Sequence, residues 1–236
     1  MGLLMNNKEM SHMPHYGNVF SRLRENSGDG WESYTRHEFV EKLSDGSLPR
    51  VAFLHYLRQD YVFLTHFSRA WALAAVKSEH YDELIAASSM VHTLVSEEMQ
   101  LHVRTCQAAG ISSDDLAATP ERTENLAYTR YVLESGYSGD LLDLLTTLAP
   151  CVMGYGEIGD RLMKESKSSI YGEWINTYGG ADYQNAAKSI GELLDGAFER
   201  RLGPSFYKAP RWHSLCARFR KAVELEIVFW QMGMTP

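Results

Sequence analysis

The chain has 236 residues, 44% of them apolar and 22% charged, which is enough apolar sequence for one sizeable core. A formal net charge of −7 and the lack of a basic stripe with interleaved aromatics exclude the footprint of a nucleic-acid binder and favour a small-molecule ligand. Apolar runs break before membrane-spanning length, so no transmembrane helix or membrane partner is expected, and three widely spaced cysteines fit free thiols in a reducing, cytoplasmic setting.

In chain order, residues 1–16 lack periodicity and are expected to form a flexible N-terminal tail, followed by a single all-helical domain over 17–236. The patterning predicts a short helix over Val19 to Glu25 and a second over Trp31 to Leu43, before the turn residues that end at Pro49. A long aromatic helix follows over Arg50 to Lys77, then another over Tyr81 to Ala109, closed by Gly110. A fifth is expected from Thr123 to Ser135, stopped at Gly136, and Ser138-Gly-Asp140 begins a helix to Lys164 that carries Pro150 inside it. Shorter helices over Ile170 to Tyr178, Asp182 to Arg200 and Trp212 to Met232 complete the chain. No strand alternation of useful length occurs, so the fold class is all-α, a compact helical bundle.

Three polar residues sit at the centre of apolar helix faces. Asp60 is flanked at helical spacing by Phe53, Tyr56, Leu57, Phe63, Leu64 and Phe67, and Glu226 by Phe219, Ala222, Val223, Phe229 and Trp230. Cys151 has Leu144, Thr147, Leu148, Tyr155 and Ile158 on its face. An unpaired buried carboxylate costs several kcal/mol, so two of them require partners or a polar ligand. A thiol near an acid with a raised pKa can be deprotonated to a nucleophile. Bland readings stand beside these: a lone buried cysteine is most often inert packing, and Glu226 could serve a buried tyrosine or pair with an arginine. Cys106 and Cys216 lack such surroundings and read as structural, and Glu224 reads as solvated beside Arg220 and Lys221.

Several blocks occur together: Leu57-Arg-Gln-Asp60 with Leu64-Thr-His-Phe67, Glu98-Met-Gln-Leu-His102, Ala127-Tyr-Thr129, Pro150-Cys151 with Tyr155, Trp174 to Gly180, and Glu226 to Trp230. In that order and spacing, over roughly residues 18 to 234, the chain resembles the TenA family of thiaminase II enzymes, in its cysteine-containing type. The resemblance implies a haem-oxygenase-like helical fold, Cys151 as nucleophile, Glu226 as acid/base and Asp60 gripping the pyrimidine. The positions of Phe63, Tyr128, Tyr155, Tyr178 and Phe229 match the rest of the pocket lining. It implies hydrolysis of an aminomethylpyrimidine, or of thiamine, to hydroxymethylpyrimidine for thiamine salvage, without cofactor or metal, in a homo-oligomer that is commonly a tetramer. Trp31 and Tyr34, read as exposed aromatics, are the interface candidates.

Two departures stand out. Phe63 replaces a tyrosine found in many family members, and the segment Val152 to Gly156 is less aromatic than is common, which points to a larger pocket. Two rival readings remain. Glu98 and His102, at i and i+4, could be metal ligands of an oxidase with the same fold, although Glu157 reads as lying on a wet face and completes no cage. The alternative for that pair is a structural hydrogen bond to backbone. The other rival is a non-enzymatic regulator or protein partner, which has no need of a reactive thiol beside a buried acid.

Overall fold

The computed structural model describes residues 14–236, and in them helix follows helix. The elements are α1 (Asn18–Asn26), α2 (Asp29–Thr35), α3 (Glu38–Asp45), α4 (Arg50–Lys77), α5 (Tyr81–Thr93), a π-helical turn (Leu94–Glu98), α6 (Met99–Ala108) and α7 (Ser113–Ala117). After them come α8 (Thr123–Ser138), α9 (Leu141–Glu165), α10 (Gly172–Gly179), α11 (Ala181–Leu202), a 3₁₀ turn (Phe206–Lys208) and α12 (Trp212–Gly233). The expected all-α bundle is the observed fold, and the described residues contain no strand.

The axis of the bundle is α9, on which α4, α8, α10, α11 and α12 pack. Every residue from Leu141 to Gly159 is buried, because all but Asp143 and Glu157 of this stretch are uncharged, mostly apolar or small, and suit the middle of the fold. By length and composition α9 could cross a membrane, contrary to the expectation that no helix would; its whole apolar window is instead enclosed by the other helices. Its start is fixed by a capping box: Asp140 Oδ1 accepts from the Leu142 and Asp143 amides, and Asp143 Oδ2 accepts from the Asp140 amide. The helix passes through Pro150 without interruption, and the Pro150 carbonyl accepts the Tyr34 hydroxyl at 3.3 Å.

Several local expectations change. The helix predicted over Trp31 to Leu43 is two helices, since His37 adopts an extended conformation and caps α3 by accepting the Phe39 amide on Nδ1 at 3.2 Å. That break turns Trp31 and Tyr34 inward rather than to an interface: both are buried, Trp31 stacked on Phe219 at 5.7 Å. Glu157, read as lying on a wet face, is buried as well, ion-paired to Arg24 and accepting the Trp31 indole N–H at 2.7 Å. Its partners come from α1 and α2, so its own helix gives no sign of them.

Residues 1–13 of the expected tail lie outside the described residues; Tyr16, its last residue, is core and donates to Gln184 Oε1 at 2.6 Å. The first turn of α1 has glycine as its N-cap, and Asp195 of α11 caps it instead, accepting the Asn18 and Val19 amides at 2.8 Å. Gly136, expected to stop α8, lies inside it, where a side chain would come within 2.6 Å of Leu73.

The backbones of α9 and the end of α10 approach closely. A Cβ on Gly159 would lie 2.3 Å from the Tyr178 carbonyl carbon and 2.5 Å from the Gly179 nitrogen, and backbone cannot yield as a side chain can. Gly159→Ala should therefore cost about 1–3 kcal/mol and lower Tm by roughly 3–10 °C. Gly172→Ala, with open space around the new methyl, should not lower it. Equal melting temperatures for the two variants in a thermal scan would contradict this packing.

Candidate active site

Eight elements send polar side chains into one region of the core. Asp60, the central carboxylate of α4, is almost fully buried. Its Oδ2 accepts the Tyr56 hydroxyl at 3.0 Å and meets His102 Nε2 at 2.6 Å. Tyr56, one turn earlier on α4, in turn accepts the Trp174 indole N–H from α10 at 3.2 Å. The other ring nitrogen of His102, Nδ1, bonds the Glu98 carbonyl at 2.9 Å. The Glu98 carboxyl is buried too and accepts the Tyr178 hydroxyl at 2.7 Å. The π turn at Leu94–Glu98 places Glu98 here, and such turns recur at functional sites.

On the other side, Glu226 of α12 accepts the Tyr128 hydroxyl from α8 at 2.8 Å and lies beside the Cys151 thiol of α9 and the Tyr34 hydroxyl of α2, close enough to raise the pKa of both. Phe63, Phe229 and Tyr128 close one side, with ring centroids 5.0 Å apart for Phe63 and Tyr128 and 5.4 Å for Phe63 and Phe229. Tyr155, Tyr178, Trp174 and Trp230 close the other, Tyr155 lying 4.9 Å from Tyr178 and 5.2 Å from Trp230. All eight site residues named from the sequence are thus buried in this one region. At Phe63 the wall is apolar, and the hydroxyl bonded to Glu226 is that of Tyr128.

The electrostatics follow from burial. Among the described residues no lysine or arginine is buried, so Asp60, Glu98 and Glu226 share one potential cation, His102. Burial pushes Glu226 up to about 8, helped by Asp60 and opposed by the Tyr128 hydrogen bond. Burial and the charge of Asp60 raise Glu98 to about 7. Burial alone would lower His102, but the Asp60 hydrogen bond and charge, with Glu98, bring it above its ordinary value. The Cys151 thiol is pushed well above its usual range by burial and then by the nearby carboxylates, foremost Glu226. At rest near neutral pH the site therefore holds a protonated thiol beside a mostly protonated acid.

Beyond the pairing of Cys151 with Glu226, the sequence shows none of these contacts between helices. Glu98 and His102 were weighed as metal ligands or as a structural pair, and the bond from Nδ1 to the Glu98 carbonyl is the structural outcome. The contact of His102 with Asp60 was missed, as were Tyr34 and Trp174 as hydrogen-bonding members. Tyr56 already lay one turn from Asp60 on the same stripe, the one signal available. Among the described residues no group of three His, Cys, Asp or Glu side chains could hold a metal ion. Outside the site, Trp174 also lines a surface groove of about 380 Å³ with Arg50, Phe53, Leu57 and Arg104.

A helical bundle with a thiol, a high-pKa acid and a ring-lined core region defines a class, and comparison with known proteins narrows it. The chain belongs to the TENA/THI-4/PQQC family, whose model matches residues 25–235. It is 35% identical to an uncharacterized protein of Haemophilus influenzae, over 86% of this chain and 93% of that one. It is 32% identical to an aminopyrimidine aminohydrolase of Halalkalibacterium halodurans, over 86% and 89%. A solved structure described as a TenA family transcription regulator from Silicibacter sp. TM1040 is 64% identical, with a TM-score of 0.93 over 94% of this chain and 98% of that one.

A carboxyl whose folded pKa lies above its unfolded value contributes stability that is fully present below the unfolded pKa and lost as pH rises through the folded one. For Glu226 that window runs from its ordinary value of 4.5 to about 8. At about 1.4 kcal/mol per unit the loss amounts to a few kcal/mol. Glu226→Gln removes the titration, so its stability relative to the parent chain should increase between pH 5 and pH 8 in denaturant melts. A difference that stays constant across this range would mean that the carboxyl is not held protonated.

Proposed function

We propose that this chain is an aminopyrimidine aminohydrolase of thiamine salvage. In this reading it hydrolyses 4-amino-5-aminomethyl-2-methylpyrimidine, and thiamine as a second substrate, to hydroxymethylpyrimidine. The observation that carries the reading is the Cys151 thiol buried beside the high-pKa Glu226, within a ring-lined region that also holds Asp60. Family membership and the similarity to the Halalkalibacterium aminopyrimidine aminohydrolase support it.

The chemistry uses these groups in turn. Ionised Glu226 takes the Cys151 proton, the thiolate forms a bond to pyrimidine C6, and the displaced π pair moves to a ring nitrogen, which Glu226 reprotonates. The ring is now an enamine conjugated to its 4-amino group, and it expels the substituent on the C5 methylene. An ammonium or a thiazolium leaves neutral because it entered as a cation. Asp60 accepts hydrogen bonds from the 4-amino group as that group becomes positive. Water adds to the exocyclic methylene and gives a proton to Glu226, which passes it to the departing thiolate and takes the ring N–H proton. That last proton goes to solvent, restoring the thiol and the aromatic ring. The aromatic walls stack the pyrimidine, and the apolar position of Phe63 leaves the thiol–acid pair to Tyr34 and Tyr128.

The Silicibacter protein's description as a transcription regulator supports a second reading, a regulator without catalysis. The two are separated by incubating purified protein with the aminomethylpyrimidine and with thiamine while following hydroxymethylpyrimidine release. Turnover is expected, with kcat/KM rising through about pH 8 as Glu226 ionises. Cys151→Ser and Glu226→Gln should each lower it by about 10²–10⁴-fold, and Glu226→Gln should abolish the rising limb. No release from either compound by folded protein would overturn the hydrolase reading.

A further inference from the structure

His102 has a part that the reaction above does not use. Its Nδ1 faces the Glu98 backbone carbonyl at 2.9 Å. A carbonyl oxygen can only accept, so Nδ1 carries a hydrogen in every protonation state of the ring. The remaining nitrogen, Nε2, faces Asp60 Oδ2 at 2.6 Å. One proton therefore lies on the line between them, held either by an imidazolium donating to a carboxylate or by a carboxylic acid donating to a neutral imidazole. Tyr56 reinforces the arrangement. The Trp174 indole can only donate, and it occupies the Tyr56 oxygen at 3.2 Å while the Tyr56 hydroxyl proton points to Asp60 Oδ2 at 3.0 Å.

Both bonds fall on the same carboxylate oxygen. Wherever the shared proton sits, Oδ1 is left as an acceptor without a hydrogen. Without this partner nothing would hold a shared proton at Oδ2, and a proton on Oδ1 would turn that oxygen into a donor. Oδ1 is the oxygen free to read a ligand.

We propose that His102 is a positioning residue that determines specificity: by confining the proton of Asp60 to Oδ2, it keeps Oδ1 an obligate acceptor, so that the site takes 4-aminopyrimidines and rejects their 4-oxo counterparts. An exocyclic amino group donates to Oδ1. A 4-oxo group presents a second acceptor at the same place, leaving two buried oxygens opposed with no hydrogen between them, and sites built to bond one partner discriminate strongly against an analogue that leaves their groups unpaired. The inference rests on the aminopyrimidine reading for its ligand, but not on turnover. Glu98 contributes through its backbone, and its carboxyl is engaged by Tyr178.

The test is calorimetric titration with 4-amino-5-hydroxymethyl-2-methylpyrimidine and with the 4-oxo analogue, on the parent chain and on His102→Gln and His102→Leu. The parent chain should favour the amino compound by about 100-fold or more, and each variant should lose at least tenfold of that ratio, whatever its absolute affinity. A merely structural role would weaken both ligands alike and leave the ratio unchanged, which would overturn the inference. Nitrogen-15 shifts of His102 in the parent chain provide a readout that needs no variant to fold: Nδ1 should stay protonated across the pH range, and a bare Nδ1 would overturn the inference. Selective binding of the amino compound without hydrolysis would support the inference and sink the hydrolase reading. Equal binding of the two compounds, or of neither, would overturn it.

Discussion

Three carboxyl groups buried in one apolar region, with one buried histidine as the only candidate cation among the described residues, form the constraint on which the rest of this structure depends. Desolvating a single unpaired carboxylate costs several kcal/mol, against a total stability of about 5–15 kcal/mol for a typical domain. The fold meets that constraint in three ways. Asp60 is paired with His102 and Tyr56, Glu98 takes the Tyr178 hydroxyl, and Glu226 takes the Tyr128 hydroxyl. All but the Tyr56–Asp60 bond join different elements, so the polar groups fix how the apolar helices sit. The enclosed axis of α9 carries Cys151 into the middle of them.

The same arrangement sets the chemistry. Glu98 and Glu226 are held near or above neutrality, so they keep protons where an exposed acid would not. A thiol beside such an acid is inert until the acid ionises, which ties the reactivity of Cys151 to the proton state of Glu226. Glu157 shows the contrasting solution. It is equally enclosed, but Arg24 and the Trp31 indole satisfy it in a structural role away from the site.

The helical fold and the polar centres of its faces were legible in the sequence because helical periodicity is a local signal. Asp60, Cys151 and Glu226 stood out as polar residues within apolar stripes, and the three are in fact buried together. What was not legible depends on contacts between helices. Trp31 and Tyr34 looked exposed because the break at His37, which turns them inward, is made by one side chain bonding an amide two residues on. Glu157 looked wet because its neighbours on α9 are charged, whereas its partners come from α1 and α2. His102 showed its spacing from Glu98, but its contact with Asp60 spans 42 residues and leaves no trace in either helix. Gly136 read as a helix stop although its role is to let α8 approach Leu73 of α4.

The most direct test of the central claim, that one buried constellation both grips a pyrimidine and attacks it, is a crystal structure of the protein with hydroxymethylpyrimidine bound. The account predicts the 4-amino nitrogen in hydrogen-bond contact with Asp60 Oδ1, and ring C6 within roughly 3–3.5 Å of the Cys151 sulfur, the separation of a near-attack geometry. A ring seated instead in the outer groove beside Arg50 and Arg104, or one whose C6 faces away from Cys151, would contradict it.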